Sequence, residues 1–254
     1  MKKFIWIFLI CILLLNFGSV SYAQSGPVSP TVPKVTFEIE GSSDPKTLTS
    51  SVELIVIFTI LTLLPSLIIM MTAFTRIVIV LSFLKNALGT QQNPPSQVII
   101  GLALFLTFFV MAPVGTQMYN DGLKPYFDNK ITQEEAYQKS VDPLRQFMFK
   151  QTRQKDIELF MEMGKLKPTK ELKEIPNHVL IPAFTISELK TGFQMGFVLF
   201  IPFIVIDMVV ASTLMSMGMM MLPPVMISMP FKILLFILVD GWGLVVKSLV
   251  MSFK

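Results

Sequence analysis

Residues 192–224 read GFQMGFVLFIPFIVIDMVVASTLMSMGMMMLPP. A long apolar run carries one acid, Asp207, and closes on Met219, Met220 and Met221 ahead of Pro223 and Pro224. A second apolar run, residues 225–253, follows after almost no polar spacing. The pattern predicts a helical hairpin with a methionine-rich tip. Of 18 methionines in the chain, six lie between Met215 and Met226. Methionine is ordinary filler in apolar helices, which accounts for Met208 or Met215. It accounts less well for three in a row beside two prolines. Thioether side chains are flexible and polarisable, so a ring of them can close a lumen against water and still yield to a passing polypeptide. Met219, Met220 and Met221 are therefore the expected gasket of a pore.

The whole composition points the same way. The chain has 254 residues, 52% hydrophobic and only 15% charged. A soluble domain of this length has no interior able to hold that much apolar surface, so lipid or partner subunits must cover the rest. The net charge of +4 is small. More than half of the 21 Lys and Arg lie between Lys124 and Lys190, interleaved with acids. That is a solvated segment, not a nucleic-acid patch. Cys11 is the single cysteine and His178 the single histidine. No intrachain disulfide or cysteine-based metal site can form, no cofactor is expected, and His178 is expected in a surface loop.

In order, residues 1–23 read as a cleavable signal, with an uncleaved first anchor as the alternative: Lys2 and Lys3, an apolar core from Phe4 to Leu15, then a small-x-small site cut between Ala23 and Gln24. Residues 24–51 are rich in Pro, Ser and Thr and read as a flexible extracytoplasmic leader. Residues 52–118 read as a first helical hairpin. In its first arm Pro65 is expected to kink the helix, and Arg76 must face protein or water, because a lipid-facing cation is costly. Lys85 to Pro95 is a turn, with Gly89 ending the helix. The second arm resumes at Val98, and Pro113 and Gly115 loosen its end. Residues 119–190 form a polar, mostly helical extracytoplasmic region. There Leu144, Phe147 and Met148 share one face, Leu159, Phe160 and Met163 repeat the spacing, and Asp142-Pro143 is a plausible helix start. Residues 191–254 are the second hairpin. Thr185 or Ser187 would cap it, Gly192 and Gly196 allow close helix approach, and Pro202 kinks it. Lys232 and Asp240 interrupt its last helix.

With the signal removed, four crossings would put the 85–97 turn and the Pro223–Pro224 turn inside, and the polar region outside. Lysine and arginine counts give little help, because the second turn carries no charge. The helices are kinked and charged, and their tips are too apolar for solvent. They are expected to pack mainly on other subunits.

Asp207 and Asp240 invite an enzymatic reading. Each lies about 16 residues from the Pro223–Pro224 turn, so at 1.5 Å rise per residue a symmetric hairpin puts them at similar depth. Two such carboxylates can share a proton. Neither, however, sits in the glycine-aspartate setting of presenilin-type proteases, and Lys232 supplies a neutralising cation. A structural ion pair, Asp207 with Lys232 or with a neighbour's cation, is the stronger reading. Arg76 and Asp240 are the other charges expected to be buried in helices. Nothing resembles a P-loop, a GxGxxG, an HExxH or a nucleophile elbow, and the chain is not expected to be an enzyme.

Several stretches carry a resemblance to a known family. Residues 182–189 (PAFTISEL) with 192–197 (GFQMGF), and 230–232 (PFK) running to 240–242 (DGW), resemble signatures of the FliP family of flagellar export-gate proteins. So do 74–78 (FTRIV), 87–91 (ALGTQ), Pro94-Pro95 and 101–106 (GLALFL). The resemblance runs from about Val52 to the end. It implies an all-α membrane-associated protein, two long kinked hairpins flanking an amphipathic helical segment, with several copies assembling into a helical channel. It implies partnership with FliQ and FliR, completion by FlhA and FlhB, and FliO as assembly factor. The cargo would be unfolded flagellar proteins, and the location the bacterial inner membrane at the flagellar basal body. The family's methionine loop maps onto Met219, Met220 and Met221, and its membrane-embedded acid and base onto Asp207 and Lys232. The homologous injectisome subunit is the alternative; the signal and leader favour the flagellar branch. A solute or proton transporter would be expected to show inverted repeats and a polar site at mid-depth.

Overall fold

The computed structural model describes residues 45–90, 93–167, 169, 171–219 and 222–253, with side chains from Ile55 onward. The expected signal, its cleavage point at Ala23 and Gln24, and Cys11 lie outside the described residues, as do Met220 and Met221. Every regular element among the described residues is helical.

α1 (Pro45–Met70) and α2 (Phe74–Ala87) are apolar helices meeting at a 68° bend. α1 begins at Pro45, inside the segment expected to be leader. The bend falls not at Pro65, which sits inside α1, but at residues 71–73. There the Thr72 hydroxyl donates to the Ile69 carbonyl (2.7 Å) and accepts the Phe74 amide (3.4 Å). A side chain that bonds the backbone on both sides competes with the helical ladder, whereas Pro65 only removes one donor.

α2 is the central element and packs on both α3 (Ser96–Gln117) and α7 (Asn177–Ser216). Its buried residues Ile77, Val80, Leu81, Leu84 and Ala87 recur at helical spacing and define one face. Ile99 and Ala103 of α3 close against that face, as does Leu249 of α9 (Gly241–Met251). Lower on α2, Leu84 and Ala87 meet Phe203 of α7 and Phe236 of α8 (Pro224–Leu238). α3 runs through Pro113 and Gly115 without a break, then passes through a π-helical turn, Met118–Leu123, into α4 (Lys124–Phe127).

The polar segment forms α5 (Gln133–Gln151) and α6 (Gln154–Met163). α5 does not start at Pro143, which lies inside it. It starts after Thr132, whose hydroxyl accepts the Glu135 amide while the Glu135 carboxylate accepts the Thr132 amide. That reciprocal cap satisfies two otherwise orphaned donors and outweighs the proline as a start signal. Along α6 the inward face is Ile157, Phe160 and Met161; Leu159 and Met163 point to solvent.

α7 is one helix of 40 residues with Pro182 and Pro202 inside it. The compositional change near residue 190 is therefore not a structural break. His178 lies exposed in its first turn, not in a loop. Thr185 and Ser187 are also internal and do not cap it. Instead the buried Ser187 hydroxyl accepts the Arg153 amide at 3.0 Å, at the start of α6. α7 ends at Ser216, and two residues on the φ of +75° at Gly218 turns the chain so that the Met219 amide reaches the Leu214 carbonyl and the Gly218 amide reaches Met215. This left-handed stop delivers Met219 to the tip between α7 and α8. α8 and α9 meet at a 66° bend.

Candidate functional site

At the hairpin of α7 and α8, Lys232 Nζ lies 2.6 Å from Asp207 Oδ2. The same ammonium donates to the Ala87 carbonyl, 3.2 Å away at the C-terminal end of α2. Ser228, one turn before Lys232 and fully buried, donates its hydroxyl to Asp207 Oδ1. Lys232 is 2% exposed. Burial of that cation is tolerated because a carboxylate and a helix carboxyl end both face it, and each favours positive charge. Three helices thus converge on one ion pair within an otherwise apolar setting.

A second polar node lies at the other end of α2. Arg76, 3% exposed, places Nε 3.0 Å from Glu188 Oε2, and its Nη2 donates to Glu188 Oε1. Nη1 donates to the Ser252 carbonyl and hydroxyl, each at 3.0 Å, and Nη2 also reaches Gln151 Oε1 at 3.1 Å. The guanidinium carbon stands 4.0 Å above the Phe253 ring. All five guanidinium donors are used, which is the condition for burying arginine without a large penalty. Sequence reasoning missed Glu188 as the partner. A lone acid between Phe184 and Phe193 was the available signal, obscured because it sits at the edge of the polar region.

Asp240 is not in a helix interior and not buried, contrary to the expectation from its apolar neighbours. It occupies the α8–α9 bend with φ +50° and takes no part in the Asp207 network. Asp carries this left-handed backbone more easily than most residues, which is why the helix breaks there. Met219 is exposed at the tip. Among the described residues no group of three or more His, Cys, Asp or Glu could hold a metal ion. Asp207 accepts from both Lys232 and Ser228.

The apolar surface is the other functional feature. α3 continued to Phe127, and α7, are each long and apolar enough to cross a membrane; each bent pair, α1–α2 and α8–α9, could form one more span. Only 17% and 6% of the most apolar windows of the two single spans are buried within the chain. Phe105, Phe108 and Phe109 stand at least 68% exposed. At 40 residues α7 is about 60 Å long, about twice the apolar thickness of a bilayer. Its N-terminal part packs within the chain through Val179, Leu180, Ala183 and Phe184, while Phe197, Val198, Val205, Met208 and Val209 beyond it stand exposed.

The sequence model of the FliP family matches residues 57–249. The flagellar biosynthetic protein FliP of Bacillus subtilis (strain 168) is 60% identical over 215 residues, covering 85% of this chain and 97% of that protein. The protein of the same name from Pectobacterium carotovorum subsp. carotovorum is 52% identical over 205 residues, 81% of this chain and 80% of its own length. That of Borreliella burgdorferi is 46% identical over 248 residues, 95% and 96% of the two chains. With the family match running from α1 into α9, and three such relatives aligned over most of their length, the chain belongs to the FliP family.

Proposed function

We propose that this protein is a channel-forming subunit of the flagellar type III export gate, conducting unfolded flagellar proteins across the inner membrane at the basal body. Family membership carries the reading, since the relatives bear the name flagellar biosynthetic protein. That name favours the flagellar branch over the injectisome. The uncovered apolar length of α3 and α7 supports assembly with further chains. In this reading several copies associate with FliQ and FliR, FlhA and FlhB complete the gate, and FliO assists assembly. The mature chain begins at Gln24, the subunit performs no catalysis, and the two hairpins frame an extracytoplasmic α5–α6 segment.

The gasket is Met219, Met220 and Met221. Gly218 directs Met219 to the tip, and soft side chains there close the lumen until cargo parts them. Replacing all three with alanine is expected to let small ions leak through cells carrying the assembled complex, while subunit accumulation stays normal. Tight membranes together with normal secretion by the triple-alanine protein would refute the gasket.

A further inference from the structure

Between residues 200 and 253 the second hairpin carries four charges: Asp207, Lys232, Asp240 and Lys247. The first two neutralise each other. Asp240 and Lys247 are both exposed and make no ion pair among the described residues. Around them the surface is apolar: Ile237, Leu238, Val239 and Leu244 are exposed as well. Opposite charges left open on an apolar helix pair are costly in lipid and unprofitable against an apolar partner.

Their placement is specific. Asp240 lies two residues past the end of α8 and one before α9, its amide bonded to the Ile237 carbonyl at 3.1 Å, and its own carbonyl accepts the Leu244 amide at 3.0 Å. Its carboxylate folds over the first turn of α9, where a Cβ on Gly243 would lie 2.4 Å from Oδ2. Lys247 lies four residues past Gly243, on the same face and about 6 Å further along the axis. One helix face thus presents a negative point and, one turn on, a positive point.

We infer that Asp240 of one copy pairs with Lys247 of the next. The patch is self-complementary but head-to-tail, so each copy uses its acid on one neighbour and its lysine on the other. Adjacent α9 helices are then offset along their axes by up to about 6 Å, so the contact sets their stagger. This rests on the multi-copy channel of the proposed function. It adds the contact that sets the register between copies.

The test uses full-length protein in its own membranes with Cys11→Ser throughout. Differently tagged copies, one set with Asp240→Cys and the other with Lys247→Cys, are expressed together and treated with a short bis-maleimide. A mixed-tag dimer is expected, while copies that all carry Asp240→Cys, or all carry Lys247→Cys, remain uncross-linked. Asp240→Lys alone and Lys247→Asp alone are each expected to lower secretion about tenfold, because like charges then meet, and combining them is expected to restore it. Tag levels in the membrane report folding, and Asp240→Asn serves as the mild variant. A multimeric particle with no mixed dimer, and with assembly unchanged by Asp240→Asn, overturns the pairing and leaves Asp240 as a cap of α9. A monomeric particle overturns the multi-copy reading and this contact with it.

Discussion

Lys232 shows what a single buried charge demands. Its ammonium meets the Asp207 carboxylate and the Ala87 carbonyl at once, so removing it strands an acid and a helix end together. Breaking such a pair from one side costs about 3 kcal/mol or more. Lys232→Met is therefore expected to lower the melting temperature of the detergent-extracted protein clearly. Lys232→Met with Asp207→Asn should lose less than the sum of the two single changes, since no unpaired charge is left. Strict additivity in that cycle would show that the two groups are not coupled. Arg76 makes the complementary point. That a cation inside an apolar run needs a protein partner follows from its neighbours alone. That the partner is Glu188, 112 positions away, does not, because nothing in the local pattern encodes which distant acid the folded helices bring near.

At the scale of elements, the contact of α2 with α7 is set by two missing side chains. A Cβ on Gly192 would lie 3.2 Å from Ile79, and one on Gly196 would lie 2.6 Å from the Phe83 ring. The spacing of these glycines announces a close approach, and the structure supplies the partner helix. Gly196→Ala is expected to destabilise the protein by about 1–3 kcal/mol through overpacking. Gly101→Ala, with nothing within 4 Å of the added carbon, should leave melting of the single chain nearly unchanged. Equal melting temperatures for the two variants would contradict this packing. Helix ends were less legible than helix faces. Pro143 and Pro65 read as punctuation yet lie inside α5 and α1, because the ladder survives one missing donor while Thr132 and Thr72 offer the backbone real alternatives.

At the scale of the whole molecule, α3 and α7 expose long apolar faces. The detergent-extracted particle is accordingly expected to have several times the mass of one chain and a ring or spiral of repeated subunits, measured by light scattering and by particle imaging. A single chain in detergent would contradict the proposed assembly.

The sequence by itself determined the class of this protein. Apolar content this high, arranged in helical runs and broken by few charges, leaves a helical membrane-associated architecture as the solution, because every buried backbone group must find its partner within the helix. Family signatures spread along the chain were equally legible, since they are local strings. Only the tertiary structure decided which charges meet, which helices are continuous and where they bend. Those outcomes depend on side chains far apart in the chain and on competition for single hydrogen bonds at helix ends. Asp240 marks the limit: its neighbours predict burial, but at the α8–α9 bend, with a left-handed backbone, it is exposed.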